Sequence, residues 1–268
     1  MPQSAKDTMS AQTIRDGLQT QFIGRTLVFR PTTASTNDEA KTLAKEGTPD
    51  GTLVITDYQT AGRGRSDRRW EAPSGSSLLM SLVFRPKLAP RHVQRLTMVC
   101  GLAIVDVLEV EYGLTPNLKW PNDILIGDAK AGGILTEIVM AGDRVECVIT
   151  GIGLNVNLDP AELPDGLMME ATSLSQALGR SVDRLPLLWA LLYQLELRYK
   201  ELGAGYSPHG EWARRLGTLD RPVTVKSGSV VLEGVAEGVD CDGALLVRLA
   251  DGQLHTVVAG DVSVRTKG

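Results

Sequence analysis

Residues 119–157 read KWPNDILIGDAKAGGILTEIVMAGDRVECVITGIGLNVN, and this stretch decides the architecture. Three β-rich apolar runs are separated by the two-residue turn Gly127-Asp128 and by the Ala-Gly-Asp-Arg turn at 141–144. That spacing predicts an antiparallel meander. Upstream, Leu27-Val-Phe and Leu53-Val-Ile-Thr are strands, and Ser77 to Phe84 is another, closed by Pro86. Helical apolar spacing covers 11–22, a segment from Ser35-Thr36 to about Gly47, residues 91–112 and residues 183–202. Ser35 or Thr36 is the expected N-cap of the second helix, with Asp38 and Glu39 complementing its positive end. From Arg221 onward the pattern changes to short β runs with turns at Ser227-Gly228 and Asp251-Gly252, a small all-β barrel. The expected fold class is α+β: a mixed or antiparallel sheet flanked by helices over residues 1–217, and the barrel over 218–268, jointed at 216–220.

Composition narrows the function classes. With 28 Lys+Arg against 32 Asp+Glu over 268 residues, the chain is mildly acidic, which argues against a nonspecific nucleic-acid binder. Cys100, Cys147 and Cys241 are scattered and odd in number, as expected of free thiols in a reducing cytoplasm and not of a disulfide framework or zinc site. The N-terminal segment lacks the apolar core of a signal peptide, and the most apolar long stretch, 98–114, is broken by Asp106, Glu109 and Glu111. No membrane association and a cytoplasmic location are therefore expected.

Against this acidic background, GRGRSDRRW at 62–70 concentrates four arginines between glycines. It is either a solvated turn or a flexible cradle whose amides and guanidinium forks take an anion. It does not match the phosphate-binding G-x-x-x-x-G-K-[ST] loop, and it lacks the repeats of an RNA-binding Arg/Gly segment. GIGLNV at 151–156 lacks the third glycine and the following helix of a dinucleotide fingerprint, so it reads as a strand end where a ligand nears the backbone. Gly132-Gly133 after Lys130 allows the same reading or a β-bulge. Trp120-Pro121-Asn122-Asp123 is a structural turn or a Mg²⁺ site.

Five segments occur in order: S-T-N at 35–37, Q-x-A-G-R-G-R at 59–65, K-W-P-N-D at 119–123, K-A-G-G-I-L at 130–135 and G-I-G-L-N-V at 151–156. Together they resemble the biotin–protein ligase family, over roughly residues 25–265, with the barrel similar to the family's SH3-like domain and the catalytic sheet similar to class II synthetases. The resemblance implies an ATP-dependent ligase that makes biotinyl-5′-AMP and passes the biotinyl group to a lysine of a biotin carboxyl carrier protein domain. Its substrates and cofactors would be biotin, ATP and Mg²⁺. It implies biotin contacts at Ser35, Thr36, Asn37, Gln59, Gly62, Arg63, Gly64, Arg65, Trp70, Lys130, Gly133 and Gly153. ATP contacts are implied at Arg65, Arg68, Asn122, Asp123, Lys130 and Asn155, with Asn122 and Asp123 also orienting Mg²⁺. Lys130 and Arg65 would be catalytic, stabilising charge that develops at phosphorus.

Two features depart from the family pattern. Asp67 stands where the loop usually has Gly or Asn, placing a negative charge beside phosphate ligands and bearing on loop geometry and ATP affinity. The residues before Ser35 leave room for one short helix only, which resembles the monofunctional type without a DNA-binding domain; no DNA partner is expected, and a homodimer stays open. Two other readings remain: a lipoate or octanoyl ligase or transferase on the same fold, and a non-enzymatic biotin-sensing regulator.

Overall fold

In the computed structural model, residues 8–66, 68–163 and 170–264 are described. Asp67, and with it the expectation about its charge, lies outside them.

The first helix is shorter than its apolar spacing predicts. α1 (Ala11–Asp16) is closed at its start by a reciprocal Ser10/Thr13 capping box and stops at Gly17. The reason is tertiary: the Trp189 indole lies so close to Gly17 that no Cβ would fit. The backbone N–H groups of Gln21, Phe22 and Ile23 then turn to the Glu196 carboxylate instead of continuing a helix.

The elements that follow are β1 (Leu27–Thr33), α2 (Thr36–Lys45), β2 (Thr52–Gln59), β3 (Ser77–Phe84) and α3 (Gln94–Tyr112). The quoted stretch supplies β5 (Asp123–Ile126), β6 (Ala129–Ala141) and β7 (Arg144–Asn155), preceded by β4 (Pro116–Lys119). Seven strands run in the order β1-β2-β3-β7-β6-β5-β4. All neighbours pair antiparallel except β1 and β2, which are parallel, so the sheet is mixed, as expected.

β3 is buried at all eight positions because both faces of the sheet are covered. On one face Val54, Val83, Cys147 and Ile149 pack under Ala40 and Ala44 of α2. The other face carries Leu53, Ile55, Leu82, Phe84 and Val148 into the main core, beneath α3 and the long helix α5 (Arg184–Gly203). Two short helices, α4 (Leu174–Leu178) and α6 (His209–Arg214), complete this layer.

β8 (Pro222–Ser227), β9 (Val230–Val239), β10 (Leu245–Leu249), β11 (Leu254–Val257) and β12 (Asp261–Val264) form an antiparallel five-stranded sheet, ordered β11-β10-β9-β8-β12. It seats firmly on the catalytic part. Leu216 makes a parallel bridge to Leu118, the Trp120 indole N–H donates to the Gly243 carbonyl at 2.8 Å, and Asp242 pairs with His92 and Arg95.

Candidate functional site

A cavity of about 430 Å³ opens on the α2 face of the sheet, between the sheet, the 62–70 loop and the start of β12. Its floor follows from strand alternation. Gly151 and Gly153 lie two apart on β7 and share a face; Gly153 pairs with Gly133 on one side and Leu79 on the other, and Gly151 pairs with Leu135 and Ser81. Bare backbone here admits large groups. A Cβ on Gly153 would lie 2.5 Å from Trp70 Cε2, and one on Gly133 would lie 3.2 Å from the same indole. Trp70 therefore rests on the Gly133/Gly153 floor, while Gly151 makes room for the Asn37 amide.

One end of the cavity carries uncharged hydrogen-bonding groups. Ser35 holds the N-cap position of α2, but its side chain makes no cap bond. Gln59 at the end of β2 does this instead: its Oε1 accepts from the Thr36 N–H at 2.8 Å and from the Thr36 hydroxyl at 3.1 Å. Ser81, fully buried on β3, has its hydroxyl 2.7 Å from Thr36 Oγ1 and 2.6 Å from Asn37 Oδ1. Ser81 sits inside the apolar run SLLMSLVF, and no sequence signal separates it from a core position. Its contact with the S-T-N turn comes from sheet register alone.

The other end is cationic. Between β5 and β6 the register slips, so that Ile124 faces Gly132 while Leu125 faces Lys130, leaving Ala131 as the extra residue of a bulge. The bulge and close backbone approach thus coexist at this motif. Lys130 is anchored through its main chain to Glu170 and Thr172, and its Nζ lies 2.5 Å from Asp123 Oδ1 and 5.5 Å from the Trp70 ring centroid. Asn155, 4% exposed, donates to the Thr172 carbonyl at 3.0 Å and steadies the same segment. Asn122 Nδ2 donates to the Ile134 carbonyl at 2.6 Å, while its Oδ1 accepts from Arg65 at 3.4 Å. Lys119, in the K-W-P-N-D motif but not singled out in the sequence, also lines the cavity. Burial, with Lys130 and Arg68 nearby, lowers its pKa against the pull of Asp123 and Asp261.

The 62–70 loop is a hairpin. Trp70 N–H donates to the Gly62 carbonyl, Gly64 N–H to the Arg68 carbonyl, and Arg63 bridges Arg69. Gly62 serves this stem: a Cβ there would collide with the Trp70 carbonyl oxygen, and Gly62 is not among the residues lining the cavity. Three of the four arginines diverge. Arg63 pairs with Asp38 and Glu137 at the stem. Arg65 donates to the Gly260 carbonyl at 3.1 Å, and Arg68 pairs with Asp261 at 2.6 Å, so the tip leans on the barrel. Burial lowers the Arg65 pKa and Arg68 adds to this, with Asp261 and Asp123 opposing. The other implied ligands, Ser35, Thr36, Asn37, Gln59, Gly64, Asn122 and Asn155, all line this one cavity.

No cysteine lines the cavity, and Cys241 is exposed elsewhere. Cys100 and Cys147 are buried, and burial pushes the Cys100 thiol up to about 12. Among the described residues no cluster of three His, Cys, Asp or Glu could hold a metal ion by itself, and no helix is long and apolar enough to cross a membrane.

A sheet-borne cavity with one uncharged end and one cationic end, closed by an Arg/Gly hairpin, defines a catalytic domain of the biotin and lipoate ligase class. The Biotin/lipoate A/B protein ligase family matches residues 29–155, and the Biotin protein ligase C terminal domain matches 218–265. The chain belongs to the biotin protein ligase family. It is 38% identical to the bifunctional ligase/repressor BirA of Bacillus subtilis over 96% of this chain and 79% of that protein. To the biotin–[acetyl-CoA-carboxylase] ligase of Paracoccus denitrificans it is 34% identical, over 81% of this chain and 91% of the relative. The Aquifex aeolicus biotin protein ligase, solved in complex with biotin and ATP, superposes with a TM-score of 0.77 at 27% identity, covering 91% of this chain and all of that one.

Proposed function

We propose that the protein activates biotin with ATP as biotinyl-5′-AMP and transfers the biotinyl group to one lysine of a biotin carboxyl carrier domain. The observation that carries this reading is the polarity of the cavity: hydroxyls and amides at one end, Lys130, Lys119, Arg65 and Arg68 at the other, with a glycine floor between. Ser35, Thr36 and Gln59 match a ureido ring, which offers both N–H donors and a carbonyl acceptor. Trp70 and the bare strands suit the apolar bicycle.

In the first step a biotin carboxylate oxygen bonds to the α-phosphorus, the bond to the β-phosphate breaks, and pyrophosphate leaves. Lys130, 2.5 Å from Asp123 before substrate binds, exchanges that partner for the reacting phosphate and stabilises its developing charge. In the second step the carrier lysine's amine bonds to the acyl carbon, AMP leaves, and the displaced protons pass to solvent. The residues also fit a Mg²⁺ ion that arrives with phosphates: the Asp123 carboxylate and the Asn122 amide oxygen are one charged and one neutral donor, too few for a protein-only cage. Such an ion would neutralise phosphate charge.

Biotin-dependent exchange of labelled pyrophosphate into ATP tests the first step, and the mass shift of a carrier domain tests the second. Exchange supported by lipoate but not biotin would move the assignment to the neighbouring enzyme class. Tight biotin binding with no exchange would indicate a sensor.

A further inference from the structure

Glu137 lies on β6 outside every motif discussed above, yet its carboxylate is the most heavily used acceptor near the cavity. Oε2 takes the Asn37 Nδ2 at 2.7 Å and Arg63 Nη2 at 3.0 Å; Oε1 takes Lys41 Nζ at 2.5 Å and Arg63 Nη1 at 3.2 Å. Three side chains from two separate elements converge on it: Asn37 and Lys41 from α2, and Arg63 from the loop stem. Burial alone would raise the carboxyl's pKa, but the Lys41, Asn37 and Arg63 donors outweigh it and hold the group below its ordinary value. At neutral pH it is an anion.

This placement has a geometric consequence. Asn37 is fixed by three partners, with its Oδ1 accepting from Ser81 and its Nδ2 donating to the Leu135 carbonyl and Glu137. Arg63 stands at the base of the hairpin that carries Trp70 over the glycine floor. One carboxylate therefore ties the turn that forms the uncharged end of the cavity to the stem of the loop that covers it. Asp38 also pairs with Arg63, at 2.6 Å, but reaches no other part of the cavity wall.

We infer that Glu137 is a positioning residue: through Asn37 and Arg63 it couples the ureido-side turn to closure of the arginine loop, and so sets affinity for the small acid without touching it. The inference rests on the proposed function for the identity of that acid. It does not rest on it for the coupling.

Glu137→Gln tests it, because the amide keeps the shape but replaces one acceptor with a donor aimed at cations. In biotin-dependent exchange the KM for biotin is expected to rise about tenfold or more, the worth of one charge-assisted hydrogen bond, while kcat at saturating biotin stays within about threefold. Trypsin should cut the ligand-free variant between Arg63 and Arg69 faster than the parent, a readout that needs no activity. Arg63→Ala removes only the loop side of the junction and leaves the Asn37 contact. Its KM should also rise, and the double variant should be worse than Arg63→Ala alone, through the lost Asn37 contact, but by less than the sum of the two single effects. An unchanged biotin KM together with an unchanged tryptic rate overturns the inference, as does a lower kcat and melting temperature with KM unmoved, which would mark a purely structural strut. Failure of the parent itself to exchange overturns the proposed function instead, and the tryptic comparison still decides the coupling.

Discussion

Replacing Lys130 by alanine separates chemistry from folding. The main chain at this position is held by hydrogen bonds to Glu170 and Thr172 that the substitution leaves intact. The lost side chain is 28% exposed, and its partly exposed pair with Asp123 lines the cavity, so removing it costs about 1 kcal/mol or less of stability. In a protein of this size that shifts the melting temperature by only about 2–4 °C. The effect on rate is far larger. One preorganised charge aimed at a developing anion contributes about 10²–10³ in rate, or roughly 3–4 kcal/mol. Alanine also leaves the Asp123 carboxylate facing the phosphates without its cation, which pushes the loss to the upper end of that range. Lys130→Arg restores charge in a larger planar head and should recover part of the rate. The assay is initial-rate pyrophosphate exchange at saturating biotin and ATP, beside a thermal melt of each variant. Exchange within about fivefold of the parent in a folded Lys130→Ala protein would refute the reasoning, because no 3 kcal/mol term could then reside in this side chain.

Three further outcomes follow from the same geometry. Arg65→Gly removes both the contact to Asn122 and the one to Gly260, so the loop should retain the activated intermediate poorly; biotinylation of bystander proteins, read by streptavidin blot, should increase, and unchanged carrier selectivity would contradict it. Gly153→Ala places a Cβ 2.5 Å from Trp70 Cε2, so the indole must withdraw by about 1 Å to reach normal contact; the variant should fold, show altered tryptophan fluorescence and bind biotin more weakly, and an unmoved dissociation constant would contradict this. Glu196 is held at a pKa of about 2, against burial that would raise it, by Lys200 and three backbone N–H groups. A depressed carboxyl pKa stabilises the fold above pH 4.5, and that contribution, on the order of 3 kcal/mol, fades as pH falls toward 2. The stability gap between parent and Glu196→Gln, measured by denaturant unfolding, should therefore close over that window; a gap independent of pH would contradict it.

What could be read in the sequence was contiguous or periodic. The meander at 119–157 announces its strands and turns within a single stretch, and β3 is visible as an unbroken apolar run. The S-T-N, GRGR, K-W-P-N-D and K-A-G-G segments meet in one cavity because each sits at the end of a strand or the start of a helix facing the same way. What stayed hidden depends on partners far along the chain. α1 ends early because of Trp189 and Glu196, more than 170 residues away. Gln59 caps α2 across 23 residues, a bond no local pattern encodes. Ser81 resembles a core residue until register places it opposite Gly151, and Glu137 is one more charged residue on a strand until α2 and the loop stem close on it. The splitting of the arginines between Asp38, Glu137 and the β12 turn is equally non-local.

The barrel and the sheet share one continuous apolar cluster. Val223, Val225, Leu245 and Val262 join Trp120, Trp212 and Met98 without a polar layer between them. Gly243 fits so tightly against α3 that a Cβ there would lie 2.5 Å from Met98 Cε. The two segments recognised as separate family modules are therefore thermodynamically one body: the barrel cannot melt alone without wetting the tryptophan beside the K-W-P-N-D turn. Since Arg65 and Arg68 rest on Gly260 and Asp261, the loop loses its footing in the same event. Freeing the barrel while sparing the catalytic sheet would therefore expose apolar surface on both sides of the seam and remove the loop's contacts at once, which raises the cost of that opening above that of either part alone.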